Sequence, residues 1–334
     1  MKAYILEKYG KKQILSLSTL PEPTLKPAEV LVEVHGSAIN VLDSLIRNGE
    51  FNLFLPYKTP FVLGHDFAGT IIKVGSDVQH FKIGDKVYSR PSDFSIGTFA
   101  EQIAVNEKDL AIIPSNISME EAAGIPLVGL TSWQALVQIA NVQPGQKVFI
   151  QAGSGGVGTF AIQLAKHLGA YVATTTSSAN IDLVRSLGAD EVIDYKKDDF
   201  SAILKDFDVV LHSNKDVKVL EKSLAILKPG GTLISLTGPP TEILMHQFNL
   251  AFYFKFILNL LSASVRRKAK KLNVNYHFLF MKADGVALAE ITKLIEAGKI
   301  KPVVDRVFSF KQINEAMAYV ETGRSKGKVI VKIN

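Results

Sequence analysis

The strongest chemical signal in this sequence is the stretch Lys147 to Gly158, KVFIQAGSGGVG. Gly153, Gly155 and Gly158 satisfy G-x-G-x-x-G, with Gly156 and Val157 inside the same loop. The first glycine of such a loop permits a tight strand-to-helix turn. The second lets backbone approach a pyrophosphate, and the third lets helix and strand pack closely. The helix that follows presents free N–H groups and a partial positive charge to the phosphates. This chemistry is the binding of a dinucleotide cofactor. The alternative, an ordinary glycine-rich turn, lacks the strand before and the helix after that are both present here.

The same logic addresses which cofactor. A site for NAD usually ends its second strand with Asp or Glu, which holds the ribose 2′-hydroxyl. Here the second strand, Tyr171 to Thr176, runs into Ser177, Ser178, Ala179 and Asn180, with no acid before Asp182. Without that carboxylate a 2′-phosphate is not repelled, and hydroxyl and amide groups can donate to its oxygens. NADPH is therefore expected over NADH; the plainer reading is a polar loop that admits either. Thr237 and Gly238, after a later strand, are further cofactor candidates.

These residues need a scaffold. From Pro144-Gly145 onward strands and helices alternate, which predicts a parallel sheet in a doubly wound α/β unit. Phe160, Ala161, Leu164, Ala165 and Leu168 recur at helical spacing over Thr159 to Leu168, and Gly169 ends that helix. Later strands are expected at Glu191–Asp194, Asp208–His212 and Thr232–Leu236. The first 115 or so residues instead read as short strands separated by glycine-bearing turns. Val30, Val32 and Val34 alternate there as on a half-buried strand. Ser118-Met119-Glu120-Glu121 has the form of a capping box, and a further helix is expected over Leu130 to Gln138. The tail offers an aromatic strand, Tyr276 to Met281, placed at a sheet edge where subunits could pair. A helix over Gln312 to Thr322 and a strand over Lys328 to Ile333 close the chain.

Composition narrows the function classes. The 334 residues are 47% hydrophobic and 21% charged, as in a globular protein with room for two cores. With no cysteine, disulfides and thiolate metal ligands are excluded. The N-terminal MKAYILEKYGKK lacks the apolar core of a signal peptide, so a cytoplasmic location is the default expectation. A net charge of +6 favours polyanions only mildly. Its densest cluster, Arg266 to Lys271, is read as a solvated helix end, with nucleic-acid or anionic-membrane contact as the alternative. Ile243 to Ser262 is the most apolar segment, but Gln247, Asn249, Lys255 and Asn259 interrupt it, against a spanning helix. A core, lid or subunit-contact helix is expected there, or else one lying on a membrane surface.

Several motifs match a known family in its order: AINVLDSLIRNG (Ala38 to Gly49), PFVLGHDFAG (Pro60 to Gly69), GLTSWQAL (Gly129 to Leu136), the glycine loop, GADEVIDY (Gly188 to Tyr195), IKPVVDRVFSF (Ile300 to Phe310) and GKVIVKI (Gly327 to Ile333). On these pieces the chain resembles the medium-chain dehydrogenase/reductases, and within them the zinc-free quinone oxidoreductases. The resemblance implies a GroES-like β-rich catalytic domain over 1–124, completed by 299–334, and a Rossmann domain over 125–298, with the active site in the cleft. It places Thr131 near the nicotinamide, Gly155, Gly156, Val157 and Gly158 near the pyrophosphate, and Ser177, Asn180 and Tyr195 around the 2′-phosphate; Thr176 is a further cofactor candidate. Close relatives often carry Lys where Asn180 stands, so one charge contact is missing. A homodimer is implied as well.

Zinc-dependent members of that family use Cys, then Gly-His-Glu, then a later Cys or acid. The corresponding residues here are Asn40, Gly64-His65-Asp66 and the aliphatic Pro126-Leu127-Val128. A catalytic zinc needs three protein ligands and an open position, so no metal is expected. His65 then reads as a hydrogen-bonding or cleft residue. A conjugated carbonyl spreads incoming charge onto oxygen, where a hydrogen-bond donor can replace a Lewis acid. Asn40 is the expected donor, its plainer role being to hold its loop. Asp43 would order Asn40 or a water, or simply cap the loop. Relatives carry Tyr where Phe51 stands, so no tyrosine proton donor is assumed. The expectation is an NADPH-dependent reductase of quinones or related conjugated carbonyls. A 2-alkenal or enone double-bond reductase is the alternative enzyme, and an NADPH-binding sensor or interaction protein is the rival outside enzymes.

Overall fold

The computed structural model describes residues 1–53, 55–248 and 253–334. In chain order the first strands are β1 (Lys2–Leu6), β2 (Ser16–Thr19), β3 (Glu29–Ile39), β4 (Phe61–Val62), β5 (Asp66–Val74), β6 (Lys86–Ser89), β7 (Gln102–Asn106) and β8 (Leu110–Ile112). Next come β9 (Lys147–Ile150), β10 (Tyr171–Thr176), β11 (Glu191–Asp194), β12 (Phe207–His212), β13 (Leu227–Ser235) and β14 (Asn275–Phe278). The tail adds β15 (Val304–Ser309) and β16 (Lys328–Lys332). Contacts divide the chain into two units: Met1–Leu130 with Lys282–Asn334, and Thr131–Met281.

The first unit is built on β3. Its valines 30, 32 and 34 are fully buried, as their alternation requires, and pack with Phe67, Ile71, Val87 and Val105. Each such side chain removed from water contributes about 1.5–3 kcal/mol. A seven-stranded sheet runs β15-β16-β3-β5-β6-β8, with β7 also pairing β3, and β2-β1-β4 form a second, three-stranded sheet. Register decides what gathers at one end of the larger sheet. Ala38 lies opposite Asp66, and Ile39 lies opposite Val329. Asn40, Asp66 and Lys328 therefore sit at matching ends of three adjacent strands.

In the second unit six parallel strands run β11-β10-β9-β12-β13-β14. Numbered within the unit this is 3-2-1-4-5-6, the doubly wound dinucleotide-binding order. The order reverses between β9 and β12, so the loop after β9 opens at the switch point. Phe149 of β9 stacks on Phe200 at 4.9 Å between ring centres, inside a core that includes Phe207, Leu220 and Leu233.

Several elements differ from the sequence expectation. The helix after the glycine loop spans Gly156–His167, starting inside the motif, because Gly155 in extended conformation serves as its N-cap. The helix expected over Leu130 to Gln138 begins at Pro126, a residue suited to a first turn, and widens into a π-helical segment at Gln134–Ile139. The aromatic strand is shorter than expected, Asn275–Phe278, and lies at the end of the sheet order. Helix Gly285–Glu296, expected in the Rossmann domain, lies with the first unit instead. Tyr88 Oη donates to Leu288 O (2.9 Å), and Thr292 Oγ1 donates to Ile112 O (2.9 Å). Its apolar periodicity says that one face is buried, but not on which unit.

Within the apolar segment Ile243 to Ser262, residues 249–252 lie outside the described residues. The helices Ile243–Phe248 and Tyr253–Lys271 carry the rest, the second burying Leu258, Val265 and Ala269 and exposing Phe256 and Leu260. The basic cluster at its end is partly paired: Arg266 donates to Asn259 Oδ1, and Lys268 meets Glu221 at 2.7 Å. Among the described residues no helix is long and apolar enough to cross a membrane.

Candidate functional site

Two glycines of the loop have no room for a side chain. A Cβ on Gly158 would stand 2.3 Å from Ala152 O and 2.6 Å from Gly153 Cα, and one on Gly153 would stand 2.2 Å from Thr174 Oγ1. Gly155 differs, since its Cβ would meet only Ala152 O, at 3.3 Å. The left-handed turn residue is Ala152 (φ 52°), not a glycine of the motif. The threonines of β10 pin the loop: Ala152 N donates to Thr175 Oγ1 (3.2 Å), and Gly153 N donates to Thr175 O (2.9 Å). The first bond of the ensuing helix is Thr159 N to Gly155 O, 2.9 Å. The N–H groups of Gly156, Val157 and Gly158 precede it and have no acceptor within the helix, as at the start of any α-helix.

Around the end of β10, Ser154 organises the polar residues. Its Oγ accepts from Thr176 Oγ1 (3.0 Å) and from Asn180 Nδ2 (3.2 Å), and Asn180 Nδ2 reaches Ser177 Oγ at 3.5 Å. This brings Thr176, Ser177 and Asn180 together, whereas Tyr195 is exposed. Asn180 Oδ1 is buried without a partner. An unpaired acceptor suits a ribose hydroxyl better than a phosphate oxygen, so Asn180 does not replace a missing lysine. Ser154 was not among the expected residues, although it sits inside the motif.

Thr237 and Gly238 line a different place in this unit, a cavity of about 280 Å³ shared with His212, Asn214, Val217 and Leu220. Thr237 Oγ1 donates to Asn214 O (2.7 Å), and Gly238 N donates to Ser235 Oγ (2.8 Å). Both ring nitrogens of His212 are buried without a hydrogen bond. Burial lowers its pKa from the ordinary 6.5 to about 4, which the Asn214 backbone offsets only in part. Thr131 is buried in the helix Pro126–Trp133.

The first unit holds a buried polar cluster, and Asn40, Asp43, His65, Asp66 and Lys328 are all nearly inaccessible to solvent. Asp43 does two jobs. Its Oδ2 accepts from Asn40 N (2.7 Å), capping the helix Val41–Arg47, and its Oδ1 pairs with His65 Nδ1 (2.6 Å). An ionised carboxylate only accepts, so Nδ1 carries the hydrogen. His65 Nε2 is then left buried with no partner. On the other side, Asn40 Nδ2 donates to Asp66 Oδ2 (3.0 Å) and Ala38 O (3.3 Å), which engages both amide hydrogens. Lys328 Nζ donates to Asn40 Oδ1 (2.5 Å) and Asp66 Oδ2 (3.2 Å), and Leu127 N donates to Asp66 Oδ1 (2.8 Å). Burial pushes the Asp66 carboxyl upward, while Lys328, Asn40 and Leu127 pull against it.

Two expectations change here. Asn40 is not a free donor, because its amide is spent inside the cluster. The unpartnered atom belongs to His65. Lys328 escaped notice because it lies 288 residues from Asn40 and heads a strand whose pattern reads as core. Only the pairing of β16 with β3 reveals it.

Residues 26–115 match the alcohol dehydrogenase GroES-like domain family, and residues 187–331 match the zinc-binding dehydrogenase family. The chain is 34% identical to a mitochondrial NAD(P)H oxidoreductase RTN4IP1 of Danio rerio, over all of this chain and 91% of that one. It is also 34% identical to a chloroplastic NADPH-dependent alkenal/one oxidoreductase of Arabidopsis thaliana, over 99% of this chain and 79% of that one. Among solved structures it resembles the quinone oxidoreductase from Coxiella burnetii, with a TM-score of 0.87 and 30% identity, covering 100% of this chain and 99% of that one.

The second of those families raises the question of a metal, and the donor set answers poorly. Asn40 Oδ1 and Asp66 Oδ2 already accept from an ammonium. Among the described residues no three His, Asp or Glu side chains gather at one metal position. These residues do not fit a catalytic zinc.

Proposed function

Because this chain belongs to the quinone oxidoreductase family of the medium-chain dehydrogenase/reductases, we propose that it is a zinc-independent NADPH-dependent reductase of quinones or related conjugated carbonyls. It is a nicotinamide-dependent oxidoreductase, and the substrate class, metal independence and choice of NADPH are the parts proposed. The observation that carries the reading is Lys328 bonded to Asn40 and Asp66. With a lysine ammonium on those oxygens, the favoured acceptors are carbonyls that conjugation has already activated.

The glycine cradle fits the pyrophosphate of the cofactor, with Gly155, Gly156, Val157 and Gly158 holding it; β10 itself ends without an acid, and the neighbouring Asp194, opposite Thr176, is engaged by Ser178 Oγ. Thr176, Ser177, Asn180 and Tyr195 belong to the 2′-phosphate end, and Thr131, Gly153, Thr237 and Gly238 complete the proposed cofactor set. Bound reduced nicotinamide supplies the hydride. His65 is assigned the accompanying proton, passed from Nε2 to the acceptor oxygen directly or through one water. Asp43 holds the ring and stabilises it while it carries that proton. Hydride plus one proton converts a quinone to its hydroquinone. Asn40 serves by linking Asp43 to Asp66.

The outer edge of β14 has no strand partner among the described residues, which supports pairing with a second copy as a homodimer. The test of function offers NADPH and NADH in turn with an ortho-quinone, a para-quinone and a 2-alkenal. Rapid NADPH oxidation with quinone is the expected result. Preference for the alkenal would move the assignment to double-bond reduction, a reading that the resemblance to the Arabidopsis enzyme supports.

A further inference from the structure

Lys328 heads β16 and is buried, a setting a lysine tolerates only when its charge is matched. The match is specific. One oxygen of a carboxylate and one of an amide accept from its Nζ, and the same amide returns its own N–H to that carboxylate. The three groups close a small ring. Without a cation the Asn40 amide could turn either way, since oxygen and nitrogen are nearly the same size. A donor on one side and acceptors at Asp66 and Ala38 on the other leave one orientation with every atom paired.

We propose that Lys328 is the resident cation of this site: it locks the Asn40 amide in one orientation and denies the Asp66 and Asn40 oxygens to a divalent metal. One ammonium and one carboxylate make the ring of Asn40, Asp66 and Lys328 electrically neutral. A divalent ion joining it would bury two uncompensated positive charges beside a third, which a low-dielectric interior opposes strongly. Lys328 is thus a positioning residue acting through Asn40 and Asp66. Its influence on turnover rests on the reductase reading above, whereas exclusion of metal does not.

The test uses the full chain with Lys328→Gln, which keeps two donors but loses the charge, and Lys328→Arg, which keeps both. Cobalt(II) is titrated against each and followed by visible absorbance, with bound metal counted after gel filtration. Wild type and Lys328→Arg should retain no stoichiometric metal, whereas Lys328→Gln, which sets an amide oxygen beside those of Asn40 and Asp66, should take up cobalt above the wild-type level. With quinone as acceptor, kcat of Lys328→Gln should fall about 10- to 100-fold, the scale of a lost preorganised contact. The NADPH Kd should stay within about twofold, the cradle being untouched. Cobalt uptake no greater than that of wild type in folded Lys328→Gln overturns the proposal. Failure of wild type to reduce any quinone overturns the functional reading instead, and leaves cobalt uptake to decide this one. Should Lys328→Gln not fold, thermal melting of Asp66→Asn and of the double variant at the two sites decides. A double variant more stable than Asp66→Asn supports the pairing, and a double variant no more stable than Asp66→Asn overturns it.

Discussion

The glycine loop of the Rossmann unit and the buried polar cluster of the GroES-like unit are built by opposite means. The loop uses backbone N–H groups from contiguous residues and removes side chains that would obstruct them. The cluster uses side chains from three separate stretches, Asn40–Asp43, His65–Asp66 and Lys328, with the backbone N–H of Leu127, and pairs nearly every polar atom. One site is harmed by adding atoms. The other is harmed by taking a partner away.

The sharpest way to break this contrast is to add one methyl group to the loop. Gly158→Ala places a carbon against the Ala152–Gly153 backbone and should cost about 3 kcal/mol or more of stability, with loss of cofactor binding. Gly155→Ala meets no such wall, so it should melt near wild type yet bind NADPH more weakly. Thermal melting with fluorescence titration of NADPH separates the two. Equal effects would mean that the motif's glycines are not doing different jobs.

The cluster should respond to subtraction. Asp43→Asn leaves His65 Nδ1 without its carboxylate and should lower kcat/KM for quinone about 100-fold, the scale of general acid catalysis. A loss confined to KM would show that His65 is only a packing residue.

The two buried histidines sharpen the comparison further. His65 has a carboxylate partner and His212 has none. Since the folded pKa of His212, about 4, lies below the ordinary 6.5, the unfolded chain binds the proton more readily between those values. Its contribution is therefore intact above pH 6.5 and is lost as pH falls toward 4, about 2 kcal/mol of it by pH 4.5. Urea unfolding of wild type and His212→Leu across this window should show the acid loss shrinking in the variant.

The smallest expected effect concerns selectivity. Asn180→Lys supplies a cation beside Ser177 and Ser154 and should raise preference for NADPH over NADH about tenfold. An unchanged ratio of Kd values would place the 2′-phosphate elsewhere.

The same contrast explains what could be read from the sequence. The loop was legible because its constraints fall on neighbouring residues and on one residue type, and the alternation around it announced a parallel sheet. The loop's own details were less so: the left-handed residue is Ala152, and Ser154 ties Thr176 to Asn180. Asn40, Asp43 and His65 were marked as candidates, and the bond of Asp43 to Asn40 was expected, but not the pairing of Asp43 with His65 or of Asn40 with Asp66. Nothing local tells Asn40 that β16 will bring an ammonium opposite it. Strand register made that cluster, and register is a long-range property. Helix Gly285–Glu296 makes the same point, because a buried face does not name the surface that buries it.

The most direct test of metal-free hydride transfer is quinone-dependent NADPH oxidation by one preparation before and after exhaustive dialysis against a chelator, with zinc counted in both. The account predicts turnover unchanged by dialysis and far less than one zinc per chain. Activity that disappears with the chelator and returns with one equivalent of zinc would contradict it.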